Sequence, residues 1–150
     1  MPQREVSVSR PRGAADRAAG RAAVSPHRVL VIDDDPSICS ALSEVLREEG
    51  FEVASATNGR AALDLLRRGP PPSAILLDLM MPVMDGWDFR QVQLQDPGLR
   101  DIPVVVVTAA GFSPATIHTQ FGAVALIPKP VPLIELLNVL GRTCGPSAAS

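Results

Sequence analysis

Short apolar runs, each cut off by polar or turn residues, recur along the chain from Val29 onward. Val29-Leu30-Val31-Ile32 stops on Asp33, Asp34 and Asp35, Phe51 to Ala56 stops before Asn58-Gly59, and Ala74 to Leu77 stops on Asp78. Pro103 to Val107 ends on Thr108, and Ala123 to Ile127 ends before Pro128-Lys129-Pro130. Runs this short, rich in β-branched residues and bounded by turn signals, predict strands buried on both faces of a parallel sheet. Between them the period lengthens. Ile38, Leu42, Val45 and Leu46 lie on one helical face, after Asp35 as N-cap and Pro36 in the first turn, with Gly50 as stop. Ala62, Leu65 and Leu66 mark a second helix ending by Gly69 and Pro70-Pro71-Pro72, and Trp87 to about Gln95 a third, with Trp87, Phe89 and Val92 as packing residues. A short, weak helix spans about Pro114 to Gln120 and is broken by Gly122. Leu133, Leu136, Leu137 and Leu140 define the last, with Gly141 and Gly145-Pro146 beyond it. Five strands alternating with five helices through short loops predict an α/β fold, one doubly wound parallel sheet covered on both faces.

Length and composition bound this picture without changing it. At 150 residues the chain has room for one proper core and is too short for two ordinary domains. The expected division is an extension over residues 1–26, a folded domain over 27–143 and a short flexible tail over 144–150. The extension is rich in Arg, Ala, Ser, Pro and Gly, with too little large apolar surface to offset the entropy of ordering. Its five arginines against two acids give a local charge of +3. It fits an ordinary floppy extension, a misassigned start, a transit-peptide-like segment or a tether to an acidic partner. A formal net charge of -2 gives no overall basic field, so neither nucleic acid nor an anionic membrane is expected as the main partner. No apolar run is long enough to span a bilayer. Cys39 and Cys144 have no metal-ligand spacing and read as free thiols of a cytoplasmic protein, Cys39 serving as a small hydrophobe in the first helix. Thirteen of the fourteen basic side chains are Arg, so Lys129 stands alone.

The candidate chemistry lies where the strands end. In a parallel sheet all carboxyl ends share one edge, so Asp33, Asp34, Asp78, Thr108 and Lys129 are predicted to converge there. Three carboxylates packed together repel unless a cation lies among them. A hard divalent ion in oxygen coordination, Mg²⁺, answers that, with Asp34 and Asp78 as direct ligands and Asp33 through water. Flanked by that ion and by the Lys129 ammonium, Asp78 can attack a phosphoryl group, with Thr108 donating to another of its oxygens. The same residues also fit a surface network in which Lys129 merely neutralises Asp78.

In the segments VLVIDDDPSI, ILLDLMMPVMDG, VVVVTAAG and GAVALIPKP the sequence resembles the receiver domains of two-component response regulators, most closely the stand-alone kind. The resemblance runs from about Arg28 to Arg142, and the separations of 44 residues from Asp34 to Asp78 and 30 from Asp78 to Thr108 match the family pattern. It implies a flavodoxin-like sheet of strand order 2-1-3-4-5, with Asp78 as phosphoacceptor. Asp33 and Asp34 become the acidic pocket, the Met80 backbone carbonyl a further Mg²⁺ ligand, Thr108 the switch hydroxyl and Lys129 its salt-bridge partner. It also implies a cis Lys129-Pro130 peptide. The implied partners are a sensor histidine kinase or histidine phosphotransfer protein and a downstream target protein, reached as a monomer or a phosphorylation-dependent dimer, with no direct DNA binding and no enzyme activity of its own.

Two departures accompany the matches. The family's switch aromatic falls on Leu126, and the chain has no Tyr. The segment from Thr108 to Gly122 is about one residue short, so the fourth helix is expected to be short and mobile. Met80 and Ala110, two residues beyond Asp78 and Thr108, offer no side-chain hydrogen bond to an attacking water, which implies a phosphoryl lifetime on the order of minutes or longer. Ser37, Ser40, Glu44 and Arg47 on the first helix form either the kinase-docking face or an ordinary solvated one. Two other functions compete. A receiver-shaped module that binds a partner without phosphorylation would be favoured by loss of any pocket residue, and all are present. A phosphatase or nucleotide enzyme lacks the P-loop or GxGxxG it would need.

Overall fold

The computed structural model describes residues 27–109 and 111–144. The expected extension over 1–26, Ala110 and residues 145–150 of the expected tail lie outside the described residues. In chain order the elements are β1 (Arg28–Ile32), α1 (Pro36–Glu48), β2 (Glu52–Ala56), α2 (Gly59–Arg68), β3 (Ala74–Leu77), α3 (Gly86–Gln95), β4 (Val104–Thr108), α4 (Pro114–Thr116), a π-helical turn (Ile117–Phe121), β5 (Ala125–Pro128) and α5 (Leu133–Cys144). The five strands form one parallel sheet in the order β2-β1-β3-β4-β5.

Each central strand divides its side chains between two cores. Leu30, Ile32, Ile75, Leu77, Val104 and Val106 face α2, α3 and the π turn, meeting Leu63, Leu66, Phe89, Ile117 and Phe121. Val29, Val31, Leu76, Val105 and Val107 face the other way, onto Leu42 and Leu46 of α1 and Leu136, Val139 and Leu140 of α5. Strands buried on both faces have no polar side to alternate with, which is why they read as unbroken apolar runs. Each such side chain taken from water contributes about 1.5–3 kcal/mol.

Local chemistry sets the helix starts. The Asp35 carboxylate accepts from the Ser37 N–H at 2.9 Å with Pro36 in the first turn, Asn58 accepts from Ala61 N at 2.8 Å, and Asp85 accepts from Asp88 N at 2.9 Å. Two ends differ from the sequence expectation. The fourth helix has only three α-helical residues before the ladder widens into the π turn, which Gly122 closes at φ 78°. The last helix runs through Gly141 to Cys144, placing in α5 a residue assigned to the tail. A glycine inside a helix costs only about 1 kcal/mol relative to alanine, and the packing of Val139 and Leu140 outweighs it.

Register positions the site. Ile32 pairs with Leu77 and Thr108 with Pro128, so Asp33 lies beside Asp78 and Lys129 just beyond Thr108. The ladder continues one rung past the strands: Asp78 N donates to Ile32 O at 2.9 Å, and Lys129 N to Thr108 O at 3.2 Å. The Lys129-Pro130 peptide is cis, as the resemblance implies.

Candidate functional site

The Lys129 ammonium sits between two carboxylates at the carboxyl edge of the sheet. Its Nζ lies 2.6 Å from Asp33 Oδ2 and 3.2 Å from Asp78 Oδ2. Asp33, Asp78 and Thr108 are only 2%, 4% and 1% exposed, so the two carboxylates have left water and depend on the ammonium between them. Backbone donors complete the shell: Asp35 N reaches Asp33 Oδ1 at 2.9 Å, and Met80 N reaches Asp78 Oδ1 at 3.2 Å. Burial pushes the Lys129 pKa down. The hydrogen bond and charge of Asp33, then those of Asp78, overcome this and hold it above the ordinary lysine value. Lys129 is therefore a fixed positive charge.

One ammonium does not balance the acids. Asp33, Asp34 and Asp78 each offer a carboxylate oxygen, and these oxygens lie within 4.8 Å of one another, with Asp34 exposed. Such a set, all hard oxygen donors with one side open to solvent, suits a small divalent cation such as Mg²⁺.

The turn after Asp78 is built to press against it. Gly86 N donates to Leu79 O at 3.0 Å, and a Cβ at Gly86 would stand 2.7 Å from the Asp78 carbonyl oxygen and 2.8 Å from Leu79 Cα. Only glycine allows that approach. Met80 and Val83 in the same turn point outward, 62% and 81% exposed.

The structure brings together Asp33, Asp34, Asp78 and Lys129, and it places the buried Thr108 at the end of β4 on the same edge. Ala110, paired with Met80 in the lifetime argument, lies outside the described residues. Leu126 is half-buried against the core beneath α2 and α3. Ser37, Ser40, Glu44 and Arg47 are all exposed on α1, and Arg47 Nη2 also donates to Val53 O at 3.0 Å.

Two sets of contacts were not anticipated from the sequence. The Cys39 thiol donates to the Asp33 carbonyl at 3.2 Å, and burial, then the Asp33 charge, push its pKa up, so it backs the site as a neutral group. Arg90 and Gln93 are buried on α3: Arg90 Nε donates to Phe121 O at 3.0 Å, Nη2 to Gly122 O at 3.1 Å and Nη1 to Gln93 Oε1 at 2.8 Å. Their signal in the sequence is the poor apolar stripe of this helix, which leaves polar residues on the same face as Phe89.

Known proteins resemble this chain along most of the described residues. The response regulator receiver domain family matches residues 29–141. Response regulator MprA of Mycolicibacterium vanbaalenii is 40% identical over 113 residues, 75% of this chain and 48% of its own length. The DNA-binding response regulator MtrA of Mycolicibacterium smegmatis is 45% identical over 82 residues, 55% of this chain and 34% of its own length. The chain thus spans about half or less of these curated relatives. Among solved structures, the receiver domain of the sensor histidine kinase PA1611 from Pseudomonas aeruginosa, with a magnesium ion coordinated in its active-site cleft, is similar at a TM-score of 0.71 and 26% identity, covering 80% of this chain and 98% of that one. From β1 into α5 the chain belongs to the response regulator receiver domain family.

Proposed function

We propose that Asp78 is the phosphoacceptor of this receiver and that the chain signals by contact with another protein. What carries the reading is the placement of the Lys129 ammonium between Asp33 Oδ2 and Asp78 Oδ2 at 2.6 and 3.2 Å, in a pocket holding three carboxylates. An Asp78 oxygen attacks phosphorus on the phosphohistidine of a kinase or phosphotransfer protein. As the P–O bond forms the P–N bond breaks, and its electron pair returns to the imidazole, which leaves neutral because its other nitrogen already carries a proton. Lys129 then exchanges part of its pairing with Asp78 for the incoming phosphoryl oxygens, while Asp33 keeps the ammonium in place. Thr108 supplies a hydroxyl to the phosphoryl group from the adjacent strand end.

Asp33, Asp34 and Asp78, with the Met80 backbone carbonyl, would hold Mg²⁺, whose contribution when bound is to offset negative charge on the transferring group. One turnover consumes the carboxylate, so the residues described here form a switch and not an enzyme. MtrA is described as DNA-binding, but it shares only 34% of its length with this chain; for the residues described here the proposed output is a protein contact. The test is intact mass after incubation with acetyl phosphate and Mg²⁺. A phosphate-sized gain in wild type and none in Asp78→Asn supports the reading, and an equal gain in both overturns it.

A further inference from the structure

Trp87 is the only tryptophan of the chain and follows directly on Gly86, whose backbone is pressed against the Asp78 carbonyl. Its indole meets two rings edge-on: Phe121 with centroids 4.9 Å apart and planes at 76°, and Phe112 at 5.7 Å and 68°. Such edge contacts are worth about 0.5–1.5 kcal/mol each beyond the area they bury. The two partners are held very differently.

Phe121 is locked. Its carbonyl and that of Gly122 accept from Arg90, whose guanidinium also lies 5.8 Å from the Phe121 ring centroid. Gln93 braces the guanidinium and is itself anchored through Nε2 to the carbonyls of Leu99 and Ile102, both at 3.0 Å. Phe112 has no such frame. It lies four residues beyond Thr108 in the connection to α4, between exposed Gly111 and exposed Ser113. Among the described residues neither Gly111 nor Phe112 makes a backbone–backbone hydrogen bond, and the half-buried Phe112 ring packs on the core.

We propose that the Trp87–Phe112 contact is the joint through which the state of Asp78 reaches α4. One side of the joint is fixed to the Asp78 turn through Gly86, and the other lies four residues beyond Thr108 in the chain. When Thr108 shifts towards a phosphoryl group on Asp78, Phe112 moves against the edge of Trp87 while Phe121 stays in place. The rearrangement is thereby confined to the β4–α4 connection and the short helix after it. Short single π turns such as the one that follows are frequent at functional sites. The inference rests on the phosphoacceptor reading above, and its test separates the two.

The full chain is treated with acetyl phosphate and Mg²⁺, and Trp87 emission and intact mass are followed in the same sample. Wild type is expected to change emission at the rate at which it gains mass. Phe112→Leu, which keeps an apolar side chain but no ring, is expected to gain mass and to lose most of the emission change; a thermal melt shows that it is folded. Mass gain in wild type without an emission change overturns the joint alone, as does a full emission change in Phe112→Leu, which would mean that the phosphoryl group acts on Trp87 directly. Absence of mass gain in wild type overturns the phosphoacceptor reading and the joint with it.

Discussion

At the scale of single residues, the site depends on contacts that tolerate almost no added volume and no lost charge. Gly86 is the clearest case, because an alanine there would drive its Cβ to 2.7 Å from the Asp78 carbonyl oxygen and 2.8 Å from Leu79 Cα. Backbone atoms cannot rotate away as a flexible side chain can. Gly86→Ala is therefore expected to cost about 1–3 kcal/mol in chemical denaturation, the range of overpacked positions, and to slow phosphorylation because the turn that carries Asp78 must move. Unchanged stability would mean that the turn is looser than its contacts indicate. That the candidate residues converge was legible in the sequence because each ends a strand or follows closely on one, and parallel strands deliver their ends to one edge. The finer pairing was not legible. Lys129 lies nearer Asp33 than Asp78, 2.6 against 3.2 Å, and this depends on side-chain reach that spacing does not encode.

At the scale of elements, the strands were legible for the same reason that they are stable: both faces are buried, so the apolar runs are uninterrupted. Helices α1, α2 and α5 announced themselves through their stripes. Helix α3 was expected over about Trp87 to Gln95 from its packing residues, but the sequence did not announce that its inward face carries Arg90 and Gln93 beside Phe89. These two polar residues fasten α3 to the end of the π turn and to the loop before β4. Burial pulls the Arg90 pKa down, yet its hydrogen-bond partners named above are neutral, two carbonyls and an amide. Arg90→Met would retain most of the bulk and strand the carbonyls of Phe121 and Gly122. The buried Phe121 acceptor left unpaired costs about 1–3 kcal/mol, and hydrogen exchange should show the loss concentrated in residues 117–124 with β1 and β3 still protected. Uniform loosening of the sheet would contradict a local fastening. The π turn itself was beyond sequence reasoning, because the same residues suit an α-helical turn.

At the scale of the whole molecule, one edge of the sheet gathers an excess of negative charge that a cation would relieve. Three carboxylates gather around one ammonium, so a bound divalent ion should stabilise the folded chain. Ligand present at about ten times its dissociation constant adds roughly 1.4 kcal/mol, a rise of a few degrees in the melting temperature for a domain of this size. Asp34→Asn alters the exposed acid of the three and is expected to remove most of the Mg²⁺-dependent rise while leaving the fold intact. An equal rise in Asp34→Asn would place the cation elsewhere. Among the described residues no helix is long and apolar enough to cross a membrane.

The central claim, that Asp78 and no other acid takes the phosphoryl group, is tested most directly by trapping the acyl phosphate. Borohydride reduces an aspartyl phosphate to homoserine and leaves free carboxylates untouched, so the modified position can be read by peptide mass spectrometry. The account predicts homoserine at position 78 alone, dependent on prior phosphorylation. Homoserine at Asp33, Asp34 or any other aspartate with position 78 unchanged would contradict it.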